Sequence, residues 1–264
     1  MIRERLKNME KIKQLREKTG AGMVECKKAL DEANGDMEMA VEILRKKSGA
    51  KAAKKADRMT GEGVVAVALS EDKKKASIVN VLCETDFVAM NTDFKAFANE
   101  VAIAGLTGSS EEFFASNREG VIVKVGENLT LGGAVVLEGE YVSTYVHSNA
   151  KLAGVVVFNK VIDAEVSAGI AMHAVAMAPT YLKPEDVLTE EVEKEKDIYR
   201  EQLLKEGKPA EMIEKILGGK VSKYYEDVCL LKQLYIKDDK KSVEQILKET
   251  DASAVIEKFV RVVL

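Results

Sequence analysis

The chain has few of the residue patterns that covalent and metal chemistry depend on. Its two histidines, His147 and His173, fall in neither HExxH nor any other zinc spacing. The phosphate-cradling GxxxxGKS/T pattern, the dinucleotide GxGxxG and the hydrolase GxSxG are all missing. Three cysteines, Cys26, Cys83 and Cys229, lie far apart without a CxxC pair. That argues against a disulfide framework and for a reducing, cytoplasmic setting. No apolar run approaches the length of a membrane span. The opening residues are polar and periodic, with neither a signal-peptide core nor the character of a transit segment. A net charge of -4 gives no reason to expect a nucleic-acid coat. No metal, cofactor, membrane or direct nucleic-acid partner is therefore expected.

What remains is an ordinary globular chain of 264 residues, 46% hydrophobic and 32% charged, long enough for one large domain or two to three small ones. Its pattern is α+β. Residues from about 9 to 48 read as three short helices, the first stopped at Thr19 and Gly20. The second carries an apolar stripe of Met23, Cys26, Ala29, Leu30 and Ala33, and Asn34 with Gly35 signals its end. Asp36 caps the third, whose stripe is Met37, Ala40, Val41 and Leu44. Val24 lies on the charged side of the second helix. It reads either as an isolated surface valine or, with Met23, as an apolar contact point. The basic run KKSGAKAAKKADR reads as a partly helical linker, with a boundary near residue 56.

From residue 60 the texture is that of strands. GEGVVAVALSEDKKKASIVNVLC gives a β-hairpin with a charged turn, followed by a helix from about 93 to 107 that buries Phe94, Phe97, Ala98 and Val101. Asn91 or Thr92 caps that helix, and a further helix covers about 110 to 118. Thr-Asp-Phe occurs twice here. The copy at Phe94 leads into the helix; the copy at Phe87 ends a strand and precedes no obvious helix. On pattern alone Phe87 reads as core. The hairpin-helix unit then recurs as GEYVSTYVHSNAKLAGVVVFNKV and AEVSAGIAMHAVAM, which suggests two related subdomains joined by the strand LTLGGAVVLEG. His173, on the second of these helices, reads as a hydrogen-bonded core residue.

Residues 187–229 are charge-rich and read as an antiparallel helical hairpin with a thin seam of Val192, Tyr199, Leu203, Met212, Ile213, Ile216 and Tyr224. Gly207 stops its first arm and Pro209 restarts the second, where Gly218 and Gly219 predict a kink or break. So thin a seam predicts that the tip packs on another chain. A strand from about 231 to 236, a short helix with a Ser242–Gln245 capping box and a last strand complete the chain.

LREKTGAGMVECKKALDEANGD and CETDFVAMNTDFKAFANEVA resemble the elongation factor Ts family, the guanine-nucleotide exchange factors of elongation factor Tu. The likeness continues through VGEN at residues 125–128, AMH, KPEDV and GKP, and covers essentially the whole chain. It implies a three-helix N-terminal module like ubiquitin-associated domains (1–56), core subdomains at 57–138 and 139–264, and a coiled-coil hairpin inserted at 187–229. It further implies an exchange factor without covalent chemistry, whose partner is Tu in its GDP-bound and nucleotide-free forms. The module would dock on Tu, with Met23 and Val24 as anchors. Thr85, Asp86, Phe87 and Val88 would work beside the nucleotide's Mg²⁺, with the Phe87 ring as a wedge and Asp86 orienting the turn or touching Tu. The hairpin would dimerise the chain or contact Tu.

Departures from the family pattern are Val24 and Glu25 in place of Met and Asp, Asn80 and Leu82 before the Thr-Asp-Phe turn, and Gly132 with Gly133 where some relatives carry arginines. The extra C-terminal segment of some members is not expected. Competing readings are a ribosome- or chaperone-associated adaptor lacking exchange activity, and a Cys-dependent enzyme built on Cys83. Against the latter, no histidine neighbours Cys83 in sequence, and a buried strand cysteine accounts for it better.

Overall fold

The computed structural model describes residues 2–264, with side chains for residues 8–50 and 52–264. Contacts divide the chain into two units. One contains residues 1–68, 77–136 and 263–264; the other contains 69–76 and 137–262.

The first unit opens with α1 (Ile2–Thr19), α2 (Met23–Glu32) and α3 (Met37–Ala53). Leu15, Cys26, Ala29, Leu30, Ala33, Ala40 and Leu44 form their shared core. The stops and caps follow local chemistry. Gly20, at φ +67°, ends α1 with its N–H 2.7 Å from Arg16 O. Gly35, at φ +83°, likewise donates to Leu30 O at 2.7 Å beyond α2. Asp36 accepts from Met39 N at 2.8 Å to start α3.

Two expectations change here. Met23 leaves the buried stripe because, as the first residue of α2, its side chain points back past the helix start and away from the core. The basic run is partly helical, as expected: it continues α3 as far as Ala53, since Ala and Lys favour helix and α3 gains a neighbour in α6 (Ser110–Val125). That α6 runs well past Arg118, to a left-handed Gly126, also differs from expectation. Polar residues at 116–119 blur the sequence pattern, but Ile122 is buried and Val123 packs on the core of the first three helices.

β1 (Glu62–Leu69), β2 (Lys75–Cys83) and β3 (Thr130–Glu138) make a sheet in that order, with β2 central. Between β2 and β3 come α4 (Asp86–Met90), α5 (Thr92–Gly105) and α6. Asn91 caps α5, accepting from Asp93 N at 2.8 Å, and the helix buries Phe94, Phe97, Ala98 and Val101 as its spacing predicts. Helix and strand meet closely at Gly105, where a Cβ would lie 2.0 Å from Ser77 Oγ. Gly132 is as tightly constrained, because Asn80 Nδ2 would lie 2.7 Å from a Cβ there. The departures at Asn80 and at the glycine pair are thus physically coupled, the amide of Asn80 lying over backbone that has no side chains.

In the second unit β4 (Tyr141–Val146) pairs antiparallel with β5 (Leu152–Phe158), and β8 (Ile256–Val263) flanks β5. The last strand therefore completes this sheet, as expected. α7 (Ala164–Met177) buries Ile170, Ala171, His173 and Ala174. His173 is the core histidine its position suggested. Its Nε2 donates to Gln233 Oε1 at 3.0 Å, and its Nδ1 accepts from Ile236 N at 3.1 Å.

α8 (Thr189–Lys205) and α9 (Ala210–Val228) pack through Leu203, Ile213 and Leu217 at one end, and at the other Val192 packs with Val187 and Cys229, which lie just outside the two helices. Met212 does not join this seam; it is exposed. Nor does α9 break at Gly218 and Gly219. Neither has positive φ, and flanking Leu217 and Val221 contacts hold the helix through them. The strand expected at about 231–236 is instead a ribbon of β6 (Leu234–Tyr235) and β7 (Asp238–Ser242). α10 (Val243–Thr250) follows, with the Ser242–Gln245 capping box in place. Among the described residues no helix is long and apolar enough to cross a membrane.

Candidate partner-binding site

The first Thr-Asp-Phe does open a helix, contrary to expectation. Thr85 is the N-cap of α4, its Oγ1 accepting from Val88 N at 3.4 Å. A single turn is too short to produce the periodicity by which helices are recognised in sequence. At its far end Asn91 N donates to Val88 O at 2.9 Å, and Asn91 at once caps α5. The two copies of the motif are therefore two consecutive helix starts.

Helical spacing sorts the side chains of α4. Val88 and Ala89 are buried beneath it, while Phe87 and Met90, three residues apart, share the outer face. Phe87 is 78% exposed, which overturns its reading as core. Met90, 60% exposed, extends the same apolar surface and was missed in the sequence, although its i, i+3 relation to Phe87 was there to be seen. Asp86 is exposed in the first turn, a favourable place for a carboxylate against the helix dipole. Among the described residues its carboxylate has no hydrogen-bond or ion-pair partner, so nothing marks it as a general base.

The start of α4 is anchored from a distance. Glu127 Oε2 accepts from both Glu84 N and Thr85 N at 3.0 Å, and its Oε1 accepts from Thr85 Oγ1 at 2.6 Å. Asn128 N donates to Glu84 Oε1 at 2.6 Å. The fully buried Asn128 amide donates to Ala56 O at 3.2 Å and Arg58 O at 2.8 Å, while Arg58 approaches Glu84 Oε2 at 3.4 Å. Cys83 is buried, with Sγ 3.1 Å from Thr85 O.

Met23 and Val24 stand on a different element, the first turn of α2. They are 61% and 66% exposed, side by side. The structure thus presents two apolar points: one at the start of α2, and one on α4.

Comparison with known proteins gives these features a family. The family model described as elongation factor TS matches residues 84–264. An elongation factor Ts from a Nitratiruptor species is 46% identical, over 92% of this chain and 87% of its own length. One from Clostridium perfringens is 42% identical, over 95% and 90%. One from Hahella chejuensis is 41% identical, over 92% and 87%.

Proposed function

The chain belongs to the elongation factor Ts family, and from that premise we propose that it promotes GDP release from elongation factor Tu by wedging Phe87 into the partner beside its Mg²⁺ and phosphate site. The carrying observation is the outward Phe87 on a helix fixed at both ends and buried beneath. Nucleotide exchange during translation elongation is the family's role, and it needs no acid, base or resident metal. It needs tighter binding to the nucleotide-free partner than to the loaded one. By linkage, the factor by which the chain weakens GDP binding equals the factor by which GDP weakens binding of the chain. Mg²⁺ tolerates little departure from octahedral coordination, so a small displacement of its scaffold loses metal and phosphate contacts together.

Thr85 caps the wedge helix and Val88 seats it, while Asp86 orients the turn or touches Tu. Met23 and Val24 anchor the N-terminal module, taken as 1–56 and ubiquitin-associated-like, on the same partner. The core subdomains are 57–138 and 139–264. The 187–229 pair acts as an antiparallel coiled coil, with exposed Leu204 and Met212 available to Tu or a second copy. All of this takes place in the cytoplasm.

The test is stopped-flow release of a fluorescent GDP analogue from elongation factor Tu. Acceleration that rises with the concentration of the chain and then saturates is expected. No acceleration at any concentration overturns the reading.

A further inference from the structure

We infer that Glu127 and Asn128 are positioning residues for exchange: they make α4 a rigid pedestal, so that force on Phe87 moves the partner and not the ring. This rests on the wedge reading of Phe87. A five-residue helix cannot hold its own direction, since isolated helices shorter than about 12 residues are marginal in water. Its stiffness has to come from its ends.

One carboxylate supplies most of it at the N-terminal end. Both Glu127 oxygens are spent on residues 84 and 85, taking two backbone N–H groups and the Thr85 hydroxyl. Such charge-assisted bonds are about twice as strong as neutral ones. The hydroxyl bond does a second thing. With its proton committed to Glu127, Thr85 Oγ1 can turn only a lone pair toward Val88 N, which is the cap that starts α4. Glu127 therefore sets the rotor of the capping residue.

Asn128 closes the loop. Glu84 gives its backbone to the Glu127 side chain and receives the Asn128 backbone on its own. The buried Asn128 amide then fastens the pair to the chain at residues 56 and 58. Asn128 is fully buried and Glu84, Thr85 and Glu127 are half-buried, whereas Phe87 is exposed; on this inference their effect on a partner passes through α4.

Glu127→Ala should lower the maximal rate of GDP release about tenfold, the scale of loss for a group misplaced by less than an ångström. The half-saturating concentration should change by less than about threefold. Glu127→Gln should recover to within about threefold of wild type, because its amide can accept from both N–H groups and donate to Thr85 Oγ1. In a Phe87→Ala background Glu127→Ala should have no further effect, the signature of residues acting as one unit.

An equal fold-loss in both backgrounds, or a maximal rate for Glu127→Ala equal to wild type, overturns the inference. Thr85→Val, which removes only the hydroxyl, serves if Glu127→Ala does not fold; a wild-type maximal rate for it overturns the inference as well. If wild type accelerates release and Phe87→Ala slows it while Glu127→Ala does not, the pedestal alone fails. If wild type does not accelerate release, the exchange reading fails with it.

Discussion

In the first unit the chain leaves its central strand β2 at Glu84 and is met there by Glu127 and Asn128, the residues that lead into β3. In the second unit it leaves the central strand β5 at Asn159 and is met by Asp251, Ser253 and Val255, which lead into β8. Asn159 trades bonds with Val255, N to O at 3.1 Å and Oδ1 from N at 2.8 Å, and its Nδ2 donates to Ser253 O at 3.1 Å. Lys160 adds Asp251 at 2.7 Å. Each unit therefore closes the same way, with the approach to its third strand clasping the exit from its second.

Beyond the clasp the two units diverge. After residue 163 comes α7, which turns Ile170, His173 and Ala174 into the core. After Thr85 comes α4, which turns Phe87 outward. The clasp does not require an outward aromatic beyond it, since the other unit has none after Asn159. The difference separates what both units share, the clasp, from what only the first carries, the outward Phe87.

If the repeats are equivalent as folds, crowding their helix-to-strand contacts should hurt both. A Cβ on Gly105 would meet Ser77 Oγ at 2.0 Å, and one on Gly154 would meet Val175 Cγ2 at 2.7 Å. Gly105→Ala and Gly154→Ala should each cost about 2 kcal/mol in urea unfolding. A loss in one repeat alone would break the equivalence.

The anchor should separate from the wedge. Val24→Asp places a charge on an apolar contact point and should weaken binding to nucleotide-free Tu about tenfold, or about 1.4 kcal/mol, by calorimetry. Its maximal release rate should match wild type once the partner is saturated.

The second clasp should be purely structural. Asn159→Ala removes the side-chain bonds that tie it to residues 253 and 255 and should cost about 1 kcal/mol of stability, with GDP release unchanged. Slowed release would mean that the second repeat also takes part in exchange.

The smallest expected effect is a pH dependence confined to the second repeat. Burial lowers the His173 pKa below its ordinary 6.5, outweighing the Gln233 hydrogen bond that raises it. The unfolded chain then binds a proton that the folded chain refuses, so stability present above pH 6.5 is lost as pH falls through the folded value. Melting temperatures between about pH 7 and 5 should fall in wild type and stay flatter in His173→Gln.

Local chemistry was legible in the sequence wherever one residue decides the outcome. The caps at Asp36, Asn91 and Ser242 and the buried stripe of α5 stand as their spacing predicts. Features set by distant contacts were not legible. α4 is too short for periodicity, and no pattern distinguishes an outward Phe87 from a buried one. Glu127 reaches back 42 residues to Thr85, so VGEN could be seen as a family likeness and not as a clasp. Similarly, α9 stays helical through Gly218 and Gly219 because its neighbours hold it, against the intrinsic preference of glycine.

The most direct test of the wedge is the maximal rate of GDP release from elongation factor Tu as a function of concentration, for wild type and for Phe87→Ala. Phe87→Ala should saturate at a maximal rate lower by about 30-fold, the scale of a central aromatic contact, with half-saturation and melting temperature close to wild type because the ring is exposed in the free protein. Recovery of the full wild-type rate at higher concentration would contradict it, since Phe87 would then be only another docking contact.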